Sequence, residues 1–198
     1  MRGCLNSIEA LMLQKIVTPL LFAVSVSVMA QSSGQGLKPP ATGQAYVEVS
    51  LNGLNYAQTG MRLSPTALRT IVGKNVGATF AYEGMLAVGT SQGSTTVGNS
   101  PAYAKIDPMF GGYLRARKEL APGMEVFGRL GAVSLVKKMD GSYFGPTPTS
   151  ERMGSVSYGL GIKIRINRDT SFVSDYTSYY NRKQETVDGV SLGLAFDY

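Results

Sequence analysis

The fold is decided by the stretch Val190-Ser191-Leu192-Gly193-Leu194-Ala195-Phe196-Asp197-Tyr198 at the end of the sequence. Apolar side chains alternate there with small or polar ones at every step, and a period of two places the two sets on opposite faces of a β-strand. One face is wholly apolar and ends in two aromatic residues, Phe196 and Tyr198. This pattern is typical of a strand whose apolar face meets lipid and whose small face lines a narrow lumen. We therefore predict a membrane-spanning strand over 187–198.

The same alternation predicts seven more strands before this one. The eight predicted strands cover residues 44–55, 67–74, 78–89, 105–117, 124–136, 157–166, 171–180 and 187–198. Their connections alternate in length: the first, third, fifth and seventh are long or medium, and the second, fourth and sixth are short. Strand parity produces this alternation in an up-and-down membrane barrel, because every odd connection lies on the same side. We predict an all-β fold, an eight-stranded antiparallel up-and-down transmembrane β-barrel with both termini in the periplasm.

Lipid requires the predicted sheet to close on itself, because unpaired backbone groups cost several kcal/mol each in hydrocarbon. Eight strands enclose an interior just wide enough for side chains to fill, so we expect no open aqueous channel. The predicted inward faces carry charges of both signs, which should form a hydrogen-bonded network in a narrow lumen of low dielectric constant. The residues predicted for this network are Glu48, Glu83, Asp107, Arg115, Arg129, Lys163, Arg165 and Asp175. We expect the network to pack the lumen; the alternative is a gated proton or ion path.

The first thirty residues have the pattern of a cleavable secretory signal peptide. An apolar run over 16–28 follows Lys15 and leads to the small-x-small pattern Val28-Met29-Ala30. The run is shorter than the roughly 20 apolar residues of a membrane-spanning helix. We predict cleavage after Ala30, a polar leader over 31–43 and a barrel domain over 44–198, with a retained anchor as the alternative. Translation could begin at either Met1 or Met12.

Composition argues against most enzymatic chemistry. The sequence contains no histidine, so a Ser-His pair and the usual general base near neutral pH are missing. Its single cysteine, Cys4, belongs to the predicted signal peptide, which leaves no His or Cys ligands for zinc. We therefore expect no enzyme, no cofactor and no metal. The net charge of +6 is spread along the chain rather than clustered, which disfavours nucleic-acid binding.

With these features together, the chain resembles the small eight-stranded outer-membrane β-barrels, the group of the OmpA transmembrane domain, OmpX and the opacity proteins. Strands such as Tyr158-Gly159-Leu160-Gly161-Ile162 share in the resemblance. The terminal residues Gly193, Leu194, Phe196 and Tyr198 resemble the signal read by the barrel assembly machinery, with Tyr in place of the commoner terminal Phe. The resemblance implies location in the outer membrane of a Gram-negative cell. It also implies three kinds of partner, namely membrane lipids, lipopolysaccharide and the assembly machinery.

Several functions fit this fold. The leading hypothesis is a non-enzymatic, monomeric surface barrel that contributes to envelope integrity and, through the predicted loops 90–104 and 137–154, to adhesion to host or surface ligands. Lys137 and Lys138, at the base of the second loop, could touch lipopolysaccharide phosphates or simply be solvated. One alternative is a narrow, porin-like pore for small solutes. Another is a soluble periplasmic barrel of lipocalin type, which requires apolar residues inside and polar residues outside. The identity of the loop ligand stays open.

Overall fold

The computed structural model describes residues 43–58, 60–145, 147–182 and 184–198. The predicted signal peptide with its cleavage site at Ala30, both candidate start residues and nearly all of the leader lie outside the described residues. Within the described part of the chain, no helix has the length and apolar character needed to cross a membrane.

The described chain is built from antiparallel strands alone. They are β1 Ala45–Gln58, β2 Met61–Leu63, β3 Thr66–Asn75, β4 Phe80–Ser91, β5 Gly93–Val97, β6 Ser100–Ala121, β7 Met124–Asp140, β8 Thr149–Arg165, β9 Thr170–Arg182 and β10 Glu185–Asp197. The eight long strands pair with their neighbours in sequence order, and β10 pairs with β1 from Asp197 opposite Tyr46 to Glu185 opposite Gln58. This last pairing closes the barrel, as the sequence predicts. The short strands β2 and β5 pair with β1 and β6 in two of the longer connections.

The connections fall on the two ends of the barrel in the predicted order, but the predicted alternation in length fails for the seventh. Strand β9 ends at Arg182 and β10 begins at Glu185, so this connection is no longer than the turns at the other end. The barrel end that holds both termini, called here the terminal end, carries the short turns β3–β4, β6–β7 and β8–β9. At this end Tyr198 donates its backbone N–H to the Ala45 carbonyl, with N and O 2.9 Å apart. The opposite end, called here the loop end, carries the other four connections. The chain therefore runs up and down around the barrel.

The connections at the loop end are shorter than predicted, because the strands continue into them. Strand β6 already begins at Ser100 and pairs with β5, so most of the predicted loop 90–104 is a hairpin. Strand β7 continues to Asp140 and β8 starts at Thr149, which leaves only 141–148 of the predicted loop 137–154. Polar side chains on the outer face of these extensions suggest a loop in the sequence, although small or apolar residues such as Ala102 and Ala104 still alternate inward.

A belt of exposed apolar side chains surrounds the terminal half of the barrel. It includes Leu51, Val72, Leu130, Leu160 and Val190, each more than half exposed. The belt reaches from Phe80 to Val88 on β4, about 27 Å along the strand at about 3.4 Å per residue. Aromatic residues lie toward both margins: Phe80, Phe196 and Tyr198 at the terminal end, and Phe110, Tyr158 and Tyr176 toward the loop end. This outer face does not fit the soluble lipocalin-type alternative, which requires a polar exterior.

The interior has two layers with different chemistry. In the terminal half lies the charged layer, formed by Glu48, Arg69, Glu83, Arg115, Glu125, Arg129 and Asp175. The loop half is filled by one apolar cluster, the apolar cap, whose larger members include Leu54, Tyr56, Ile106, Met109, Leu135 and Tyr179. The expectation that polar side chains pack the whole lumen is therefore wrong for the loop half. Taken over the whole interior, the buried side chains are mainly charged in the terminal half and mainly apolar in the loop half.

Candidate functional site

Arg115 is the hub of the charged layer. Its Nη1 lies 2.6 Å from Glu48 Oε1 and 3.2 Å from Glu83 Oε1, and its Nη2 lies 2.7 Å from Glu125 Oε1. The guanidinium carbon also sits 3.7 Å from the centre of the Phe127 ring. These partners come from β1, β4 and β7, so one side chain of β6 ties three other walls of the barrel together.

Two further arginines complete the layer. Arg129 Nη2 lies 3.2 Å from Glu48 Oε2, and Arg129 Nε lies 3.3 Å from Glu83 Oε2. Arg69 reaches from β3 across the lumen to Asp175 on β9, where its two terminal nitrogens donate to the carboxylate in a fork, Nη1 to Oδ1 and Nη2 to Oδ2. Arg69 Nη1 also donates to the Tyr179 hydroxyl of the apolar cap, 3.1 Å away. Buried charges are costly without such pairing, and a paired network fixes the side chains in place.

Five of the eight residues predicted for the lumen network lie in this layer: Glu48, Glu83, Arg115, Arg129 and Asp175. Lys163 is buried nearer the terminal mouth, where its Nζ lies 2.9 Å from Asp197 Oδ1. Arg165 is half-buried at the rim of the same mouth. The prediction omits Arg69 and Asp197, although both alternate with apolar residues and so stand on the inward face of the sequence pattern.

Asp107 requires a correction, because it lies outside the network. A β-bulge between Ile106 and Met109 adds one residue to β6 relative to β7 and inverts the inward phase of the strand. Ile106 and Met109 are therefore both fully buried, and Asp107 stands on the opposite face. It is half-buried there, with its Oδ2 3.1 Å from Lys105 Nζ.

Neither sequence interpretation of Lys137, contact with lipopolysaccharide or simple solvation, fits the structure, because its side chain faces inward and is buried. It is 2 % exposed at the top of the apolar cap, and its Nζ lies 2.5 Å from Glu185 Oε1. The Tyr56 hydroxyl donates to the same carboxylate oxygen at 2.6 Å. Since β7 stands across the barrel from β1 and β10, this contact crosses the loop-end mouth.

Three cations form a group on the outer surface at the loop end, called here the basic wall: Lys105, Lys138 and Arg152. Lys105 and Lys138 stand directly opposite each other in the β6–β7 register. Arg152 on β8 faces Val136, which makes it the diagonal neighbour of Lys138. Among the described residues, Lys138 and Arg152 have no ion pair within 4.0 Å. The wall lies just beyond the apolar belt, four residues along β8 from the exposed Val156.

The residues predicted as an assembly signal lie on the last strand. Leu194, Phe196 and Tyr198 face outward. Gly193 is held close to β1, because a Cβ there would lie 2.2 Å from the Val49 carbonyl oxygen. A side chain at position 193 would therefore disturb the pairing that closes the barrel. Their reading by the assembly machinery stays a prediction.

No group of three His, Cys, Asp or Glu side chains in the described residues is arranged to hold a metal ion. The interior presents paired charges and packed apolar side chains, and these contacts hold the barrel walls together and fill the lumen.

A closed eight-stranded barrel with a lipid-compatible belt outside and paired charges inside defines a transmembrane β-barrel of the outer-membrane class. The chain belongs to the outer membrane protein beta-barrel domain family, whose model matches residues 17–198. No curated protein matches the sequence.

Solved structures share the fold at low sequence identity. Ail, the attachment invasion locus protein of Yersinia pestis, is 13% identical with a TM-score of 0.58, and the match covers 79% of this chain and 99% of Ail. Neisserial surface protein A is 9% identical with a TM-score of 0.57, over 78% and 97% of the two chains. OprG from Pseudomonas aeruginosa is 10% identical with a TM-score of 0.57, over 81% and 98%. These likenesses concern the fold.

Proposed function

We propose that this chain is a non-enzymatic surface barrel whose basic wall binds anionic saccharides, first among them the phosphorylated sugars of lipopolysaccharide. It thereby contributes to envelope integrity and to interactions at the cell surface. In this proposal the terminal end faces the periplasm and the loop end faces outward. The protein is a monomer that is exported with cleavage after Ala30 and inserted by the barrel assembly machinery.

The observation that carries this proposal is the placement of Lys105, Lys138 and Arg152. Arg152 stands about 14 Å along β8 beyond the apolar Val156, at about 3.4 Å per residue, so the wall is at the height of lipid head groups. Like charges directly opposite each other destabilise a sheet, and Lys105 and Lys138 form such a pair. Among the described residues, Asp107 forms its ion pair with Lys105 alone. An anion bound between Lys138 and Arg152 would relieve the repulsion.

One of the solved structures provides a precedent for the binding of an anionic saccharide by a protein of this fold. Ail has been solved in complex with the heparin analogue sucrose octasulfate, and the Ail chain of that complex shares the fold with a TM-score of 0.57 at 15% identity. A polysulfated sugar and a phosphorylated sugar present the same chemistry to a cluster of cations. The precedent supports the class of ligand, and the residues that would bind it here are those of the basic wall.

The filled lumen argues against the porin-like alternative. A solute would have to pass both the charged layer, in which Arg115 joins three carboxylates, and the apolar cap above it. Moving either layer would break buried ion pairs or expose apolar side chains to water.

The test is a double variant, Lys138→Ser with Arg152→Ser, in nanodiscs. Each basic residue near a charged membrane surface contributes about 1 kcal/mol to binding an anionic lipid, so we expect lipopolysaccharide binding to weaken about tenfold to thirtyfold. The difference should shrink as salt is raised, because exposed charges are screened. Titration with fluorescent lipopolysaccharide, and separately with heparin, measures both effects.

The matched control is Lys74→Ser with Arg168→Ser, which removes two exposed cations from the terminal end. It should leave binding within about twofold of the wild type, since these residues are at the other end of the barrel. Equal affinities for both double variants would overturn the basic wall as the binding site. If the double variant weakened binding of heparin but not of lipopolysaccharide, the ligand of the basic wall would be an anionic saccharide on a partner surface and not the lipopolysaccharide of the membrane.

A further inference from the structure

The outer surface has a groove in the terminal half of the belt that the basic wall does not involve. It has a volume of about 290 Å³ and is lined chiefly by Ala116, Val126, Gly128 and Leu160, with Lys118 at its edge. Nearly all of this lining is apolar or backbone. The groove therefore lies in the part of the barrel that meets hydrocarbon.

The strand register explains why the surface is depressed here. Ala116, Gly128 and Leu160 stand in one row across β6, β7 and β8. The next row toward the loop end pairs Leu114 with Leu130, both exposed. Two adjacent small residues thus form a floor between large leucine side chains.

The fold itself does not require glycine at position 128. Its φ is not in the left-handed region, and a Cβ there would approach no atom closer than 3.4 Å, the Leu160 Cδ2. By contrast, a Cβ at Gly131 on the same strand would lie 1.9 Å from the Gly112 carbonyl oxygen. The open floor is a property of the outer surface and can be filled without disturbing the barrel.

A cation closes the groove on the side toward the terminal end. Lys118 faces outward beside Val126, one row beyond Ala116 and close to the turn that follows β6. Among the described residues it makes no ion pair within 4.0 Å. A lysine in this position can lie with its stem along the apolar surface and its ammonium group in the head-group region.

We propose that this groove binds one anionic phospholipid of the leaflet at the terminal end, with an acyl chain over Ala116 and Gly128 and the phosphate on Lys118. The charge of Lys118 selects the anionic head group, and the leucine walls hold the chain. The inference depends on membership of the outer-membrane barrel family and not on the basic wall, so either proposal can fail alone.

The experiment compares binding of phosphatidylglycerol and phosphatidylcholine to the detergent-solubilised barrel by native mass spectrometry. The wild type should retain one phosphatidylglycerol in preference to phosphatidylcholine. Gly128→Leu, which fills the floor, should weaken retention of both lipids about tenfold. Lys118→Ser should lower the preference for phosphatidylglycerol about fivefold and leave phosphatidylcholine unchanged.

The controls are Gly112→Leu and Lys74→Ser. Gly112 also faces outward with no atom within 4 Å of an added Cβ, but it lies outside the groove. Lys74 is an exposed cation at the same barrel end. Both should bind lipid as the wild type does. Equal retention of lipid by Gly128→Leu and Gly112→Leu would overturn the proposal, and so would an unchanged preference for phosphatidylglycerol in Lys118→Ser. If Gly128→Leu does not fold, the lipid preference of Lys118→Ser decides.

Discussion

At the scale of single residues, Arg115 shows how the barrel uses buried charge. The guanidinium is 2 % exposed and binds three carboxylates from three strands. Each of those carboxylates would be unstable in this setting without a cation, because desolvation of an ion costs several kcal/mol. The arginine therefore stabilises the barrel mainly by offsetting the desolvation cost of the three carboxylates around it.

Replacing Arg115→Met should lower the free energy of unfolding by about 3 to 5 kcal/mol, because three acidic groups lose their main partner. Urea titration of the protein in lipid vesicles, followed by tyrosine fluorescence, measures the change. The exposed Arg168→Met in the turn after β8 serves as the control and should stay within about 0.5 kcal/mol of the wild type. A loss below about 1 kcal/mol for Arg115→Met would mean that the acids find other partners.

At the scale of elements, the bulge in β6 sets which residues fill the apolar cap. Three residue steps from Ile106 to Met109 face two steps from Lys137 to Leu135 on β7. The bulge absorbs the odd step, so Ile106 and Met109 both face inward; removing the extra residue would restore regular pairing and keep both on the inward face.

Deleting Pro108 should therefore keep the side-chain phase and leave the loop end intact. Two steps from Ile106 to Met109 would then face the two steps from Lys137 to Leu135, so Ile106 stays inward and Asp107 stays outward. Limited proteolysis in vesicles should find the segment 92–107 of the deletion variant as resistant as that of the wild type. Pro108→Ala keeps the residue count, and with it the bulge, and should digest in the same way. Cleavage of the deletion variant within 92–107 would show that the bulge does not set the phase of the strand.

Much of the architecture could be predicted from alternation alone, because the belt and the charged layer repeat with a strict period of two. This pattern predicts Glu48, Arg129 and Asp175 on the inward face, and they lie there. The pattern failed at Asp107, because a bulge changes the phase without a clear local signal. It also failed for the apolar cap, since beyond the membrane the outer face becomes polar and the strand extensions look like loops.

At the scale of the whole molecule, the closure of the barrel and the packing of its lumen each lead to an outcome that can be measured. The eight-stranded barrel, closed by β1 and β10, should resist detergent until heated, because no strand edge is left for the detergent to open. Unheated and boiled samples should therefore differ in electrophoretic mobility.

The same protein should show no regular conductance steps in planar bilayers, because the charged layer and the apolar cap fill the lumen in series. Addition of urea below the unfolding transition serves as a positive control for a loosened lumen. A steady conductance in the absence of denaturant would show that the layers open, and the porin-like alternative would replace the sealed barrel.

The change of the buried face from charged to apolar has a consequence for the bilayers that this protein can occupy. Only the belt from Phe80 to Val88 must match the hydrocarbon thickness, since the strands beyond it have a polar exterior over an apolar interior and are stable in water. Lengthening the strands at the loop end would therefore carry no mismatch penalty. Membrane thickness therefore constrains only the length of the apolar belt in the terminal half of the barrel. The length of the strands that project beyond the membrane at the loop end can vary independently of it.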